Sequence, residues 1–238
     1  MTSGEFFTFL GYLTGALVLY FEARRRHLAT VGLRIVALCG VVGGVLGARL
    51  SQWILESSNI LAAHPLAFLD PRNGGKSLVG GLIFGYLSVA ITKRCLGIRR
   101  STGDLWALAL PAGEAVGRIG CVLNGCCYGT PFSGAWAIFQ HGAWRHPTQI
   151  YSALAAALIF AILLKLRDKL PREGDLFRLY LALYGVSRFG IEGFRERHFV
   201  FGALSMVQLI CLETAIFAMI ALWLSSRNPQ KMKEISVS

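Results

Sequence analysis

The sequence is short of charged residues for a chain of 238. They make up 16% of it, whereas an average soluble domain carries about 25%. Hydrophobic residues account for 54%, and several apolar runs approach the roughly 20 residues that cross a bilayer core. The start of the chain also lacks a basic region and a small-residue cleavage site, so we expect no removable signal peptide. These shortages exclude an ordinary soluble domain and indicate an all-α, polytopic membrane protein.

Seven apolar segments predict seven transmembrane helices. A backbone inside lipid must satisfy its own hydrogen bonds, so each crossing segment is expected to be helical. The predicted segments are 6–21, 33–54, 77–92, 104–122, 147–166, 175–193 and 203–224. We expect residues 1–224 to form one seven-helix domain and residues 225–238 to be a mobile cytoplasmic tail.

The distribution of basic residues predicts the orientation of these helices. The net charge is +11, and clusters of Lys and Arg follow the first, third, fifth and seventh segments. Since such residues in short loops mark the cytoplasmic side, the N-terminus is predicted outside and the C-terminus in the cytoplasm. Charge arranged in this way contacts membrane lipids and argues against nucleic acid as a partner.

The stretch from Gly117 to Cys127, GRIGCVLNGCC, places a permanent positive charge and a polar amide at the end of an apolar segment. An arginine within a membrane segment must be paired or solvated, because an uncompensated charge there is costly. One interpretation is a phosphate site formed by Arg118, Asn124 and exposed glycine amides. The other is helix packing through the glycines, with Arg118 paired to Glu114 one turn earlier.

A second polar stretch lies in the sixth segment. Arg188, Glu192 and Arg195 are spaced four and three residues apart, so they share one helix face. That face must look into a cavity or pair within the protein, because lipid does not solvate charge. A substrate cavity and an internal salt-bridge ladder both fit the pattern. Arg49, in the second segment, either lines the same cavity or extends to the membrane interface.

The stretch WRHPTQIY at 144–151 marks the start of the fifth segment. Pro147 suits the first turn of a helix. His146 is most simply part of an ordinary interfacial helix cap, flanked by aromatic residues of the membrane boundary.

Three cysteines, Cys121, Cys126 and Cys127, lie close together in the sequence. Their spacing does not match the usual zinc motifs, and no histidine pair accompanies them, so we expect no metal. A disulfide and simple packing beside the glycines both remain open. A catalytic thiol would need a base, and the neighbouring sequence offers none.

Taken together, these elements resemble the signature of the bacterial prolipoprotein diacylglyceryl transferases. The most specific parts are GRIG at 117–120 with Asn124-Gly125, and RHPTQIY at 145–151. Other matching stretches follow the family's order across nearly the whole chain. They are Gly47-Ala-Arg49-Leu50, Gly80-Gly81-Leu82, Tyr184-Gly185, Arg188-Phe189, Glu192, Phe194-Arg195 and Leu204-Ser205-Met206 with Gln208.

The resemblance implies transfer of the diacylglyceryl group of phosphatidylglycerol to the lipobox cysteine thiol of a prolipoprotein, with release of glycerol 1-phosphate. It implies a bacterial plasma membrane protein with its active site towards the outer side, and no cofactor. Arg118, Arg188 and Glu192 match the family's catalytic positions. The implied substrate-binding residues are Arg118, Asn124, Gly120, Gly125, Gly80, Gly81, Arg49, Tyr184, Arg195 and His146.

The chain departs from the family pattern at positions that handle protons. Val79 stands where a histidine usually precedes the Gly-Gly pair, and Ser152 replaces a glutamate. Cys121 and Cys126 stand where asparagine and glutamate are usual. These departures leave two alternatives: a phosphatidylglycerol-dependent transferase with another acceptor, and a non-catalytic phospholipid-binding membrane protein.

The orientation prediction is tested by a reporter fused after Ser238. Seven crossings from an outside N-terminus place this fusion in the cytoplasm. Alkaline phosphatase fused there should be inactive and green fluorescent protein should fluoresce, because the first needs an oxidising compartment and the second folds inside the cell. Active phosphatase would contradict the helix count.

Overall fold

The structure, a computed structural model, describes residues 2–56, 78–170, 172–195, 199–201 and 204–227. Each of the seven predicted apolar segments is a helix. Within the described residues the helices are α1 (Ser3–Arg25), α2 (Val31–Glu56), α3 (Leu78–Cys95), α4 (Gly103–Leu123), α5 (Thr148–Leu166), α6 (Asp175–Glu192) and α7 (Met206–Arg227). Two small antiparallel pairs accompany them, β1 (Ile138–Gln140) with β2 (Ala143–Arg145) and β3 (Phe199–Phe201) with β4 (Leu204–Ser205).

Five of the described helices are long and apolar enough to cross a membrane: α1, α2, α4, α5 and α7. The chain is therefore a helical, multi-pass membrane protein. Helix α6 carries four charged residues along its 18 positions, which is why composition alone does not mark it as a span. Seven crossings and the orientation of the termini stay predictions.

The chain divides into two compact units, residues 1–23 with 101–238, and residues 24–100. In the second unit, α2 and α3 pack closely through glycines. A Cβ atom at Gly80 would lie 2.7 Å from the Gly47 carbonyl oxygen, so this crossing tolerates no side chain there. The single domain expected over residues 1–224 stays a prediction, and residues 228–238 of the expected tail lie outside the described part.

The core of the first unit forms where α4, α5 and α6 meet. Its buried side chains are Ala107, Leu108, Ile159, Leu163, Leu176 and Tyr180. Asp104, in the first turn of α4, accepts hydrogen bonds from the backbone N–H groups of Gly174 (2.9 Å) and Phe177 (3.2 Å). These donors at the start of α6 have no partner within the helix, so the carboxylate fixes where α6 begins relative to α4.

The β1–β2 hairpin and the loop after α4 are joined to the end of α6. The turn residues His141 and Gly142 both have positive φ angles of 50° and 75°, as a tight two-residue hairpin requires. The Thr130 N–H donates to the Phe194 carbonyl at 2.9 Å, and the His146 N–H donates to the Thr130 carbonyl at 3.0 Å. These bonds hold the C-terminal ends of α4 and α6 near one another.

Helix α1 packs against α4 through Gly120. A Cβ atom there would lie 2.6 Å from the Gly4 carbonyl oxygen and 2.8 Å from the Thr8 hydroxyl, whereas one at Gly117 would meet nothing within 4 Å. Both glycines belong to the GRIG motif, but only Gly120 has its Cβ position filled by α1.

Replacing Gly120 with alanine should therefore lower the thermal stability of the purified protein. Overpacking of this kind costs about 1–3 kcal/mol. Gly117→Ala is the matched control and should be neutral or slightly stabilising, because alanine favours a helix by up to ~1 kcal/mol over glycine. Melting curves in one detergent compare the two, and equal curves would contradict the packing role of Gly120.

Candidate functional site

A small pocket lies among α4, α5 and α6. Apolar side chains of α5 and α6 form part of its wall. Its polar lining consists of Glu114, Ser152, Tyr184, Ser187 and Arg188. A polar cavity inside a membrane helix bundle is where ionisable residues bind substrates or ions.

Arg118 is paired with Glu114, one helical turn earlier on α4. The Arg118 Nε and Nη2 atoms both donate to the Glu114 Oε1 atom, at 3.0 and 2.7 Å. The side chains are only 15% and 18% exposed. The pairing interpretation of Arg118 is confirmed. Phosphate binding stays a prediction, and the pair brings Arg118 to the edge of the pocket that Glu114 lines.

Arg188 and Glu192 form the second ion pair, on α6. The Arg188 Nη2 atom lies 2.8 Å from the Glu192 Oε2 atom, and the Arg195 Nη1 atom lies 3.7 Å from the same oxygen. The predicted shared face is thus confirmed for Arg188 and Glu192, whereas Arg195 lies beyond the end of α6 and approaches the same carboxylate from there. The Nε and Nη1 atoms of Arg188 are buried and make no hydrogen bond. Since buried donors are nearly always satisfied, these two groups point to a ligand.

Tyr184 lies one turn before Arg188 and also has an unsatisfied polar atom. Its hydroxyl is buried without a hydrogen-bond partner, and the charges of Glu114, Arg188 and Arg118 all act on it. The tyrosine hydroxyl therefore lies within electrostatic reach of both ion pairs and offers a further donor to a ligand.

The residues Arg118, Arg188, Arg195, Glu114 and Glu192 constitute what we call the charged cluster. Three arginines against two glutamates leave an excess of one positive charge. Each carboxylate neutralises part of this charge and orients the guanidinium that it binds. An anion with a single negative charge and several acceptor oxygens complements such a site.

The predicted headgroup residues at the end of α4 occupy different surroundings. Asn124 caps the helix, with its N–H donating to the Gly120 carbonyl at 2.9 Å and the next N–H, of Gly125, donating to the Val122 carbonyl at 3.2 Å. The Asn124 side chain lies against Gly4. Gly125 follows with a φ of 63°. Gly120 faces α1, so the packing interpretation applies to that glycine.

The Arg-His-Pro stretch supports the scaffold around the pocket. Arg145 donates to the carbonyls of Gln140 (3.2 Å) and Gly129 (3.2 Å). The His146 ring stacks on Phe132, with 3.9 Å between centroids, and its Nδ1 atom lies 3.2 Å from the Tyr151 hydroxyl. These contacts place His146 in an aromatic cluster before α5, whose N-cap is Pro147, and the interfacial cap interpretation stays a prediction. The role of His146 in substrate binding stays a prediction.

Three predicted binding residues, Arg49, Gly80 and Gly81, belong to the second unit. Arg49 lies on α2, and the two glycines lie on α3, where they contact α2. The side chain of Val79 lies outside the described part. The substrate-binding role of Arg49, Gly80 and Gly81 stays a prediction.

Sequence reasoning missed Glu114, Ser152 and Ser187 as pocket residues. The sequence pairs Glu114 with Arg118 but does not mark it as a pocket residue, although a carboxylate inside an apolar segment is itself a sign of function. Ser152 replaces the glutamate of the family pattern, and its hydroxyl donates to the Thr148 carbonyl of its own helix at 2.8 Å. Ser187 gave no sequence signal, because a serine on a helix is common.

Comparison with known proteins gives a consistent result. The family model described as prolipoprotein diacylglyceryl transferase matches residues 5–224. Phosphatidylglycerol–prolipoprotein diacylglyceryl transferase of Clostridioides difficile (strain 630) is 30% identical over 226 residues, which cover 94% of this chain and 91% of the relative. The enzyme of the same name from Symbiobacterium thermophilum is 31% identical, covering 87% and 82%. That of Methylibium petroleiphilum is 34% identical over 196 residues, covering 77% and 74%.

The unsatisfied hydroxyl of Tyr184 yields a test that needs no substrate. Tyr184→Phe should keep or raise the melting temperature, because a buried, unpaired polar group costs about 1–3 kcal/mol. Tyr151→Phe is the control, since its hydroxyl contacts Trp136 Nε1 at 2.8 Å and His146 Nδ1 at 3.2 Å. The control should lose about 1 kcal/mol. A larger loss at Tyr184 than at Tyr151 would show that the hydroxyl has a structural partner.

Proposed function

Since this chain belongs to the prolipoprotein diacylglyceryl transferase family, we propose that its pocket transfers the diacylglyceryl group of phosphatidylglycerol to a prolipoprotein. The acceptor is the thiol of the lipobox cysteine, and glycerol 1-phosphate leaves. One observation supports this site above all: Arg188, a member of the positively charged cluster, has two buried donors without a hydrogen-bond partner.

The proposed reaction builds up negative charge on the phosphate. The thiol releases its proton to water, its sulfur attacks the glycerol carbon of the diacylglyceryl group that bears the phosphate oxygen, and the carbon–sulfur bond forms as the carbon–oxygen bond breaks. The leaving group takes the bonding electrons, so a singly charged phosphodiester becomes a phosphate monoester with a second negative charge. Groups that stabilise this added charge lower the barrier.

The charged cluster supplies those groups. Arg188 offers the phosphate its Nε and Nη1 atoms, while Glu192 holds the other end of the guanidinium. Arg118, oriented by Glu114, interacts with the phosphate from α4. Tyr184 donates its hydroxyl to a phosphate oxygen. Two arginine forks and one hydroxyl bind a phosphate with the directionality that a lysine would not provide.

Phosphatidylglycerol is larger than the pocket and extends beyond it. Phosphatidylglycerol carries two acyl chains, which lie in the lipid, and a glycerol headgroup, for which we propose Asn124 and the Gly125 backbone. We place the site towards the outer side of a bacterial plasma membrane, in a protein of seven crossings. Arg49, Gly80, Gly81 and His146 keep their predicted roles in binding the lipid or the peptide.

A second candidate is the same donor chemistry with a different acceptor. It is favoured by Ser152 in the pocket lining, at a position where the family pattern has a glutamate. The serine hydroxyl is bound to its own helix and does not replace a carboxylate as a proton acceptor. A thiol with a pKa of about 8.5 is already partly ionised at neutral pH, so it can react without a carboxylate to accept its proton. We therefore retain the lipobox cysteine as the proposed acceptor.

The site is tested by complementation of a host whose own diacylglyceryl transferase is depleted. Mass spectrometry follows the lipobox cysteine of one reporter lipoprotein. Arg118→Ala and Arg188→Ala should each reduce adduct formation by about 10²–10³-fold, the loss typical of removing one charge-stabilising group. Arg188→Lys should restore only part of the activity, because an ammonium cannot occupy two donor positions of a fork.

Arg99→Ala serves as the matched control, because it removes the same charge from an exposed loop of the second unit. It should retain full adduct formation. Normal activity of either pocket variant, at equal amounts in the membrane, would refute the proposed site. A wild-type protein that inserts but yields no diacylglyceryl adduct would favour the second candidate.

A further inference from the structure

A cluster of three cysteines lies at the C-terminal end of α4, apart from the polar pocket lining. Cys121 lies in the last turn of α4, and Cys126 and Cys127 lie in the loop that follows. Their three sulfur atoms all lie within 4.8 Å of one another. All three are free thiols. Neither the family match nor the proposed transfer reaction uses this group.

The backbone that carries these thiols is fixed by buried side chains. The Cys126 N–H donates to the Cys121 carbonyl at 3.1 Å, which folds the loop back onto the helix. The Cys126 carbonyl accepts a hydrogen bond from Gln149 Nε2 at 2.8 Å, and the Cys127 carbonyl accepts one from Thr148 Oγ1 at 2.7 Å. Gln149 and Thr148 are 0% and 1% exposed. The loop is therefore held from α5 in one arrangement.

Cys127 adopts a backbone conformation that cysteine rarely takes. Its φ angle is 59°, in the left-handed region that non-glycine residues avoid. Such strain persists only where the surrounding structure imposes it. Here it turns the Cys127 side chain towards Cys121 and Cys126, so that three sulfurs meet at one point.

Three thiolates at this spacing suit a soft metal ion. A metal–sulfur bond is about 2.3 Å long, so three sulfurs around one ion lie roughly 4 Å apart, which is compatible with sulfurs that all lie within 4.8 Å of one another. Thiolate ligands select soft ions such as Zn²⁺ and Cu⁺. Three thiolates with either ion form an anionic complex, and the positive charges of Arg195 and Arg118 both act on Cys127. Cys126 is exposed and gives an ion access.

We propose that Cys121, Cys126 and Cys127 form a binding site for one soft d¹⁰ metal ion, held by three thiolates. The three thiols release their protons when the ion binds. None of the three cysteines lines the pocket, and metal binding does not depend on the transfer reaction, although Arg118 and Arg195 of the charged cluster also act on Cys127. This proposal differs from our sequence-based expectation of no metal. That expectation rested on the spacing of zinc motifs whose ligands lie on a short turn. Here the end of α4 and the left-handed conformation of Cys127 bring the ligands together instead.

The test is a titration of the purified, fully reduced protein with Cd²⁺, in the absence of oxygen. Cadmium thiolates absorb in the ultraviolet, so bound ion and stoichiometry are read directly. The wild type should bind one equivalent, and a large excess of Zn²⁺ should compete with it for the same thiolates. Removing all three ligands with Cys121→Ser, Cys126→Ser and Cys127→Ser should weaken binding at least 100-fold.

The control variant removes the other cysteines, with Cys39→Ala, Cys95→Ser and Cys211→Ala, and should bind as tightly as the wild type. The single variant Cys126→Ser covers the case in which the triple variant does not fold, because an exposed side chain can be replaced with little effect on folding. This variant should still bind Cd²⁺ markedly more weakly than the wild type. Equal binding by wild type and Cys126→Ser, no stoichiometric binding by the reduced wild type, or a disulfide within the cluster that survives reduction would each overturn the proposal.

Discussion

The pairing of buried charges is the constraint on which the described site depends. Arginine cannot lose its proton in a protein, so each arginine within the helix bundle needs a carboxylate or an anion. Glu114 meets this need for Arg118, and Glu192 meets it for Arg188. Both pairs join residues four apart on one helix. Each helix therefore carries its pair already formed, and packing of α4 against α6 brings the two pairs to one pocket.

That packing is secured at both ends of the helices. At one end, Asp104 of α4 accepts hydrogen bonds from the first turn of α6. At the other, the loop after α4 is bonded to Phe194 just beyond α6. The pocket lies between these two attachments. Its position thus follows from capping and loop contacts, and the ion pairs need not provide the stability themselves, which buried pairs often fail to do.

Much of this arrangement could be predicted from the sequence, and the reason is periodicity. The apolar runs set the helices to within a few residues, and the four-residue spacing of Arg188 and Glu192 set their common face. The sequence could not decide between headgroup binding and packing for Gly120, because packing against α1 depends on the approach of a distant helix. The cysteine cluster escaped prediction for a similar reason, since the fold-back after α4 is imposed by Gln149 and Thr148, both buried at the start of α5.

The charge balance of the cluster bears on how the proposed reaction proceeds. With one excess positive charge, the cluster matches a phosphodiester before reaction and is one charge short of the monoester that leaves. The second negative charge of the leaving group must therefore be stabilised by reorienting the charged side chains that the cluster already contains. Arg118 is able to supply it, because both of its contacts to Glu114 go to a single oxygen. A guanidinium fork held on one side can turn its other donors towards a phosphate as the charge develops, which favours the transition state over the bound substrate.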